Sequence, residues 1–146
     1  DSAQVHLNHY LEENDLQPSV VVHRGHSYWL PGTIRRMPYN AKIVVLGSCG
    51  GFKNLSTIID VSPEAHIIST KEIGAGEINR PILNYLNQNM LAGKKIVWKD
   101  MWLTLTRLFA KESSKSIRES WDDYVPPYKN LGAIFIKGYN KKMESY

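Results

Sequence analysis

Two short β-branched runs, each closed by glycine, constrain this chain more than any other feature. The first is Val20-Val21-Val22-His23-Arg24-Gly25-His26-Ser27, and the second is Ile43-Val44-Val45-Leu46-Gly47-Ser48-Cys49-Gly50-Gly51. Runs of this kind favour buried strands, and the glycines mark where each strand stops or bends. Laid parallel and adjacent, the two strands bring both tips to one carboxyl edge of a sheet, where open α/β folds keep their sites. The chain's one cysteine then faces a histidine-bearing tip, as a thiol nucleophile faces its base.

At 146 residues, with 42% hydrophobic and 22% charged content, the chain reads as a single globular domain spanning residues 1–146 with a core of its own. The net charge of +4 is carried partly by isolated pairs, Lys94-Lys95 and Lys141-Lys142. A nucleic-acid surface calls for a clustered stripe with interleaved aromatics, so no nucleic-acid partner is expected. No apolar run approaches the ~20 residues that cross a bilayer, so no membrane partner is expected either. One cysteine excludes an internal disulfide and any multi-cysteine zinc site. His6 and His9 have helix-surface spacing and, with His23 and His26, lack the carboxylate or thiol framework of a metal centre, so no metal or other cofactor is expected. The chain begins at Asp1 without a methionine and reads as a processed product or a segment of a longer protein. The compartment is left open.

The elements follow in order. Ser2 caps a helix to about Glu13, with Val5, Leu7, Tyr10 and Leu11 on its apolar side. Pro18 forces extended geometry before the first strand, Ser19–His23. Ser27–Asn40 reads as a loop punctuated by Pro31-Gly32 and Pro38, with Tyr28 and Trp29 half buried. Lys42–Gly47 is the second strand, residues 53–59 a short helix, Ser62-Pro63-Glu64 one helical turn, and Ala65–Thr70 a third strand. Helical spacing of Ile78, Ile82, Leu83, Leu86, Met90 and Leu91 predicts a helix over 77–92, stopped by Gly93. A second amphipathic helix covers 98–111, with Met101, Trp102, Leu105, Leu108 and Phe109 inward. A third, short helix covers 116–124 and ends at Pro126-Pro127. Residues 131–137 read as a last strand, and 140–146 as a frayed tail. Alternating strands and helices argue for an α/β fold: a mostly parallel sheet with helices on both faces.

The candidate chemistry is nucleophilic. Cys49 follows a strand and precedes two glycines, which let a substrate backbone approach closely. His26, beyond Gly25 in the loop, is the better base, since His23 ends the strand and points toward the sheet or a core hydrogen bond. The amides of Cys49, Gly25, Ser27 and Gly50 are candidate oxyanion donors. Residues 49–55 hold no arginine for a phosphatase loop, and Gly47–Gly51 match neither a P-loop nor a G-x-S-x-G elbow.

The two glycine-closed blocks resemble the caspase-like cysteine peptidase clan, which includes separases, gingipains, clostripain, legumains, caspases and CHAT domains. That clan carries a hydrophobic strand ending in His-Gly and a second ending in Ala-Cys or Gly-Cys. Gly25-His26 is most similar to the Gly-His-Gly of the separase and gingipain branches, and Gly47-Ser48-Cys49 to the cysteine block. The likeness extends through the strand at 65–70 and the helices ending near Leu108, as in CHAT domains. It implies a caspase-like topology lacking its first strands, His26 as base or imidazolium partner, and Cys49 as nucleophile. Ser27 stands where the clan usually has glycine, and the His26–Cys49 interval is shorter than in caspases.

The expected activity is therefore a cysteine endopeptidase acting on a peptide or protein, with Tyr28, Glu72 and Glu77 near the substrate side chain. The alternative is a catalytically inactive caspase-like domain. In either case the chain is expected to dock on the remainder of a larger protein or on a partner subunit.

Overall fold

The computed structural model describes residues 2–145; Asp1 and Tyr146, which begin and end the chain, lie outside them. The sheet has four strands: β1 Val20–His23, β2 Ile43–Leu46, β3 His66–Thr70 and β4 Tyr124–Val125, in that spatial order. β1, β2 and β3 are parallel, with Val20 opposite Ile43 and Ile43 opposite His66. β4 runs antiparallel to β3, pairing Val125 with Ser69. β1 is an edge strand. This is the α/β arrangement expected from the alternation of elements, with a short antiparallel strand added.

Strand parity sorts the core into two layers. Val44 and Leu46 face one side, where they meet Leu30 and Ile34 of α2 (Leu30–Arg35), Ile58 and Ile59 of α3 (Leu55–Val61), and Ala133 of α7 (Leu131–Met143). Val45 and Ile68 face the other. There they meet Ile78, Ile82 and Leu86 of α4 (Gly76–Leu91), Met101 and Leu105 of α5 (Trp98–Phe109), and Trp121 of α6 (Lys115–Asp122). Trp121 lies 4.6 Å from the Trp102 ring and 4.8 Å from that of Phe109, an aromatic knot that locks α6 onto α5.

Several expectations are corrected. The segment 27–40 is not an open loop: a 3-10 turn at Ser27–Trp29 leads into α2, with Pro31 in its first turn and Leu30 and Ile34 four apart on the buried side. A proline in the first helical turn starts a helix rather than breaking it. Ser62–Glu64 forms a turn, and Ser62 Oγ donates to the Pro38 carbonyl at 2.8 Å instead of capping. The helix at 116–124 is Lys115–Asp122, and Tyr124 belongs to β4.

Residues 131–137 are helical, and α7 continues to Met143 where a frayed tail is expected. On the outer edge of β3, β4 pairs with Ser69 and Thr70 and Asn130 binds the Ile67 carbonyl. Ala133, Ile136 and Lys137, at helical spacing, turn toward the protein instead. The helix α1 (Ser2–Glu13) begins at Ser2 and has no buried residue; Val5, Leu7 and Tyr10 are exposed. It is tied down by Gln4 Nε2, which donates to Thr33 Oγ1 at 3.4 Å. Leu108, expected inward, is exposed, as are Tyr28 and Trp29, expected half buried, and Met90 and Leu91 of the α4 spacing.

Candidate functional site

The tips of β1 and β2 emerge side by side at the carboxyl edge, where Gly47 N–H donates to the His23 carbonyl at 2.9 Å. Cys49 is exposed, just past this link.

The turn that presents Cys49 is held from several directions. Asn79, 2% exposed in the first turns of α4, donates its Nδ2 to the Gly47 carbonyl at 2.9 Å. Its Oδ1 accepts from the Tyr124 hydroxyl at 2.9 Å, and that hydroxyl accepts from Ala75 N–H at 2.9 Å. The donor–acceptor chain Ala75–Tyr124–Asn79–Gly47 is fully satisfied, as a buried polar network has to be. Asn79 fills the space that a Cβ on residue 47 would need, so only glycine fits there. The Thr70 hydroxyl donates to the Ser48 carbonyl from the neighbouring strand. Gly50 adopts a left-handed φ of 64°, which favours glycine, and its N–H donates to the Glu72 carbonyl at 2.7 Å. The Ser48 hydroxyl is buried without a partner.

Tyr124 is itself perturbed by its surroundings. Burial pushes its phenol up to about 12, with smaller upward contributions from Cys49 and Glu77 and downward ones from Ala75 N–H and Arg24. Arg24, Cys49 and Glu77 therefore lie within electrostatic reach of one phenol that stays protonated at neutral pH. The phenol is a donor there and not a base.

The β1 tip is built differently. His23 is buried, its Nε2 lies 3.2 Å from the His26 carbonyl and its Nδ1 2.9 Å from Thr33 Oγ1. A carbonyl only accepts, so Nε2 carries the proton; in the neutral ring Nδ1 then accepts from the Thr33 hydroxyl. His23 is thus the clamp that folds the 24–27 loop back over its own strand. His26 is exposed, and its Nδ1 accepts from Tyr28 N–H at 3.1 Å as the cap of the 3-10 turn. With Nδ1 accepting, the neutral His26 ring carries its proton on Nε2 and presents a donor to its surroundings.

The structure thus sets the two expected catalytic residues on adjacent tips, but no hydrogen bond joins His26 to Cys49 among the described residues. Of the expected oxyanion donors, the amides of Gly25, Ser27 and Cys49 have no protein partner among the described residues, whereas that of Gly50 is engaged by Glu72. Glu77, in the first turn of α4, lies within electrostatic range of the Tyr124 phenol. Glu72 contributes its carbonyl to the turn while its side chain is exposed. Tyr28 stacks edge-on against Trp29 at 4.9 Å and lines a separate cleft against α1 and α2, with Gln4, Pro31 and Arg35.

Sequence reasoning missed Asn79 and Tyr124. The available signal for Asn79 was a polar residue adjoining Ile78 and three before Ile82, in the first turns of an amphipathic helix that follows Gly74-Ala75-Gly76. Among the described residues no group of three or more His, Cys, Asp or Glu side chains is arranged to hold a metal, and no helix is long and apolar enough to cross a membrane.

Comparison with known protein families, with characterised proteins and with solved structures finds no match.

Proposed function

We propose that this chain is a cysteine peptidase domain of caspase-like organisation, with Cys49 as nucleophile and His26 as its proton partner. The observation that carries this reading is an exposed thiol at the carboxyl tip of β2, beside a histidine-bearing tip, with unengaged amides at Gly25, Ser27 and Cys49. Such amides offer a place for the oxyanion of a tetrahedral intermediate.

In the reaction, the Cys49 proton passes to His26 and Sγ bonds to the scissile carbonyl carbon. The carbonyl oxygen takes the negative charge; as it re-forms the double bond, the C–N bond breaks and the amine leaves with the proton from His26. Water then hydrolyses the thioester and regenerates the thiol. His26 accepts that proton at Nδ1, so the Tyr28 amide must first leave the ring. Its departure frees one more N–H for the oxyanion, so base and oxyanion donor become available together. The unpaired edge of β1 takes the strands that the caspase-like sheet carries there, supplied by the remainder of a larger chain or by a partner subunit.

The His26 cap favours one other reading, a non-catalytic relative in which that histidine only shapes the loop. Turnover of fluorogenic peptides separates the two. The peptidase reading expects hydrolysis abolished by Cys49→Ala and lowered at least ~100-fold by His26→Ala, the scale of a lost general base. No turnover by the parent chain, or turnover unchanged in both variants, overturns it.

A further inference from the structure

A second cleft, of about 230 Å³, opens at the amino end of β3, with Ala65, His66, Trp98, Tyr128, Ile134 and Lys137 among its walls. It exists because β4 is two residues long: it pairs with Ser69 and Thr70 and leaves the upstream half of β3 without a strand beside it. Asn130, 1% exposed, covers part of that edge, donating from Nδ2 to the Ile67 carbonyl at 2.5 Å and accepting from Ser69 Oγ at 3.4 Å. Lys137 Nζ reaches from α7 to the Ala65 carbonyl at 2.8 Å, and the His66 ring lies 5.5 Å from that of Trp98.

The free polar groups of this cleft are mostly donors. His66 N–H bonds to the Lys42 carbonyl of the β2 side, so strand parity turns the Ile67 N–H toward the cleft, where no protein acceptor takes it among the described residues. The carbonyls of Ala65 and Ile67 are already engaged. What remains is the Ile67 N–H, the unused protons of the Lys137 ammonium and a neutral His66 ring with one donor and one acceptor nitrogen, against apolar and aromatic walls. Burial holds both His66 and Lys137 below their ordinary values; Lys137 and Lys42 push His66 further down, Lys42 does the same to Lys137, and Glu64 opposes the shift in each. Lys42 and Lys137 have no ion-pair partner among the described residues. An anion here adds a counter-charge beside Lys137 and Lys42, to which Glu64 already contributes.

We infer that this cleft binds a carboxylate carried on a small apolar or aromatic body, the carboxylate at Lys137 and the Ile67 N–H and the body against Trp98 and Tyr128. The volume lies below the ~300–1,000 Å³ of ordinary ligand sites, so the occupant is a compact acid or the last residue of a peptide. The site lies at the opposite end of the parallel strands from Cys49 and stands independently of the peptidase reading.

The test is an amide-proton NMR titration of the whole chain with 3-phenylpropionate, read at the Ile67 amide and the Trp98 indole. The inference expects saturable shifts at both. It expects 3-phenylpropionamide to bind at least ~10-fold more weakly, and affinity to fall ~10-fold in Lys137→Met, one lost charge-assisted contact. Lys42→Gln, an exposed change, lowers affinity by a smaller factor and leaves the melting temperature in place. A tetrapeptide ending in phenylalanine, as free acid and as amide, separates the sources: binding of its acid form assigns a peptide C-terminus, and binding of 3-phenylpropionate alone assigns a small free acid. Equal binding of acid and amide, absence of saturable shifts at Ile67, or unchanged affinity in both lysine variants overturns the inference.

Discussion

The two tips at the carboxyl edge are held in opposite ways. The β2 tip, which carries Cys49, is gripped by α4 through Asn79, by β3 through Thr70 and by the following loop through the Glu72 carbonyl. The β1 tip, which carries His26, is held by two imidazoles, one buried against Thr33 and one capping an exposed 3-10 turn. The proposed nucleophile therefore sits on an over-determined support, whereas the ring of its proposed partner is held by one hydrogen bond, from the Tyr28 amide. The proposed proton transfer calls for this contrast: a fixed turn beneath the thiol and a histidine ring with a single bond to break.

The sharpest way to break this contrast is at Gly47. In Gly47→Ala the new Cβ overlaps the Asn79 amide, and the expected cost is ~3 kcal/mol or more, read as a fall in urea midpoint. Asn79→Ala removes the overlap partner but leaves the Gly47 carbonyl without its donor; the Tyr124 hydroxyl loses one acceptor and keeps Ala75, for an expected loss of ~2 kcal/mol. The double variant Gly47→Ala/Asn79→Ala is expected to be less destabilised than the sum of the two singles, because they share one space. Additivity would show that the two groups do not meet.

Tyr124 gives a pH signature of the same network. Its phenol is raised from the ~10 of an unfolded chain to about 12. Its stabilising contribution is thus complete below ~pH 10 and is lost as pH climbs from there through about 12. Tyr124→Phe is expected to flatten this part of the stability–pH curve; an unchanged curve would remove Tyr124 from the network.

The β1 tip is expected to respond less. Thr33→Val removes the donor to His23 Nδ1, for ~1 kcal/mol, and His26→Ala removes an exposed cap, for ~0.5 kcal/mol. A larger effect at His26 than at Asn79 would invert the comparison.

The sequence made the parallel β1–β2 pair legible because β-branched runs and closing glycines are local signals. The α4 and α5 helices were legible through their spacing. What stayed hidden was tertiary. Residues 131–137 have strand-like composition, but the antiparallel partner of β3 is Tyr124–Val125 and residues 131–137 form α7, with Ala133 packed in the core. Pro31 read as a breaker because its place in a first turn depends on Leu30 and Ile34 being buried. At the site, Cys49 and the histidine tips were visible as residue types on predicted strand ends. The Asn79–Tyr124 link joins residues 45 apart, and no periodicity announces it. The tautomer of His26, fixed by one amide of its own loop, is likewise a property of three-dimensional geometry.

The central claim, that Cys49 and His26 form a working pair, is tested most directly by the rate of Cys49 alkylation by iodoacetamide across pH, in the parent chain and in His26→Ala. The account predicts rapid labelling with an apparent pKa well below the ~8.5 of a free thiol, lost or moved upward in the variant. Slow labelling with the same pH dependence in both proteins would contradict it and leave His26 as a loop cap alone.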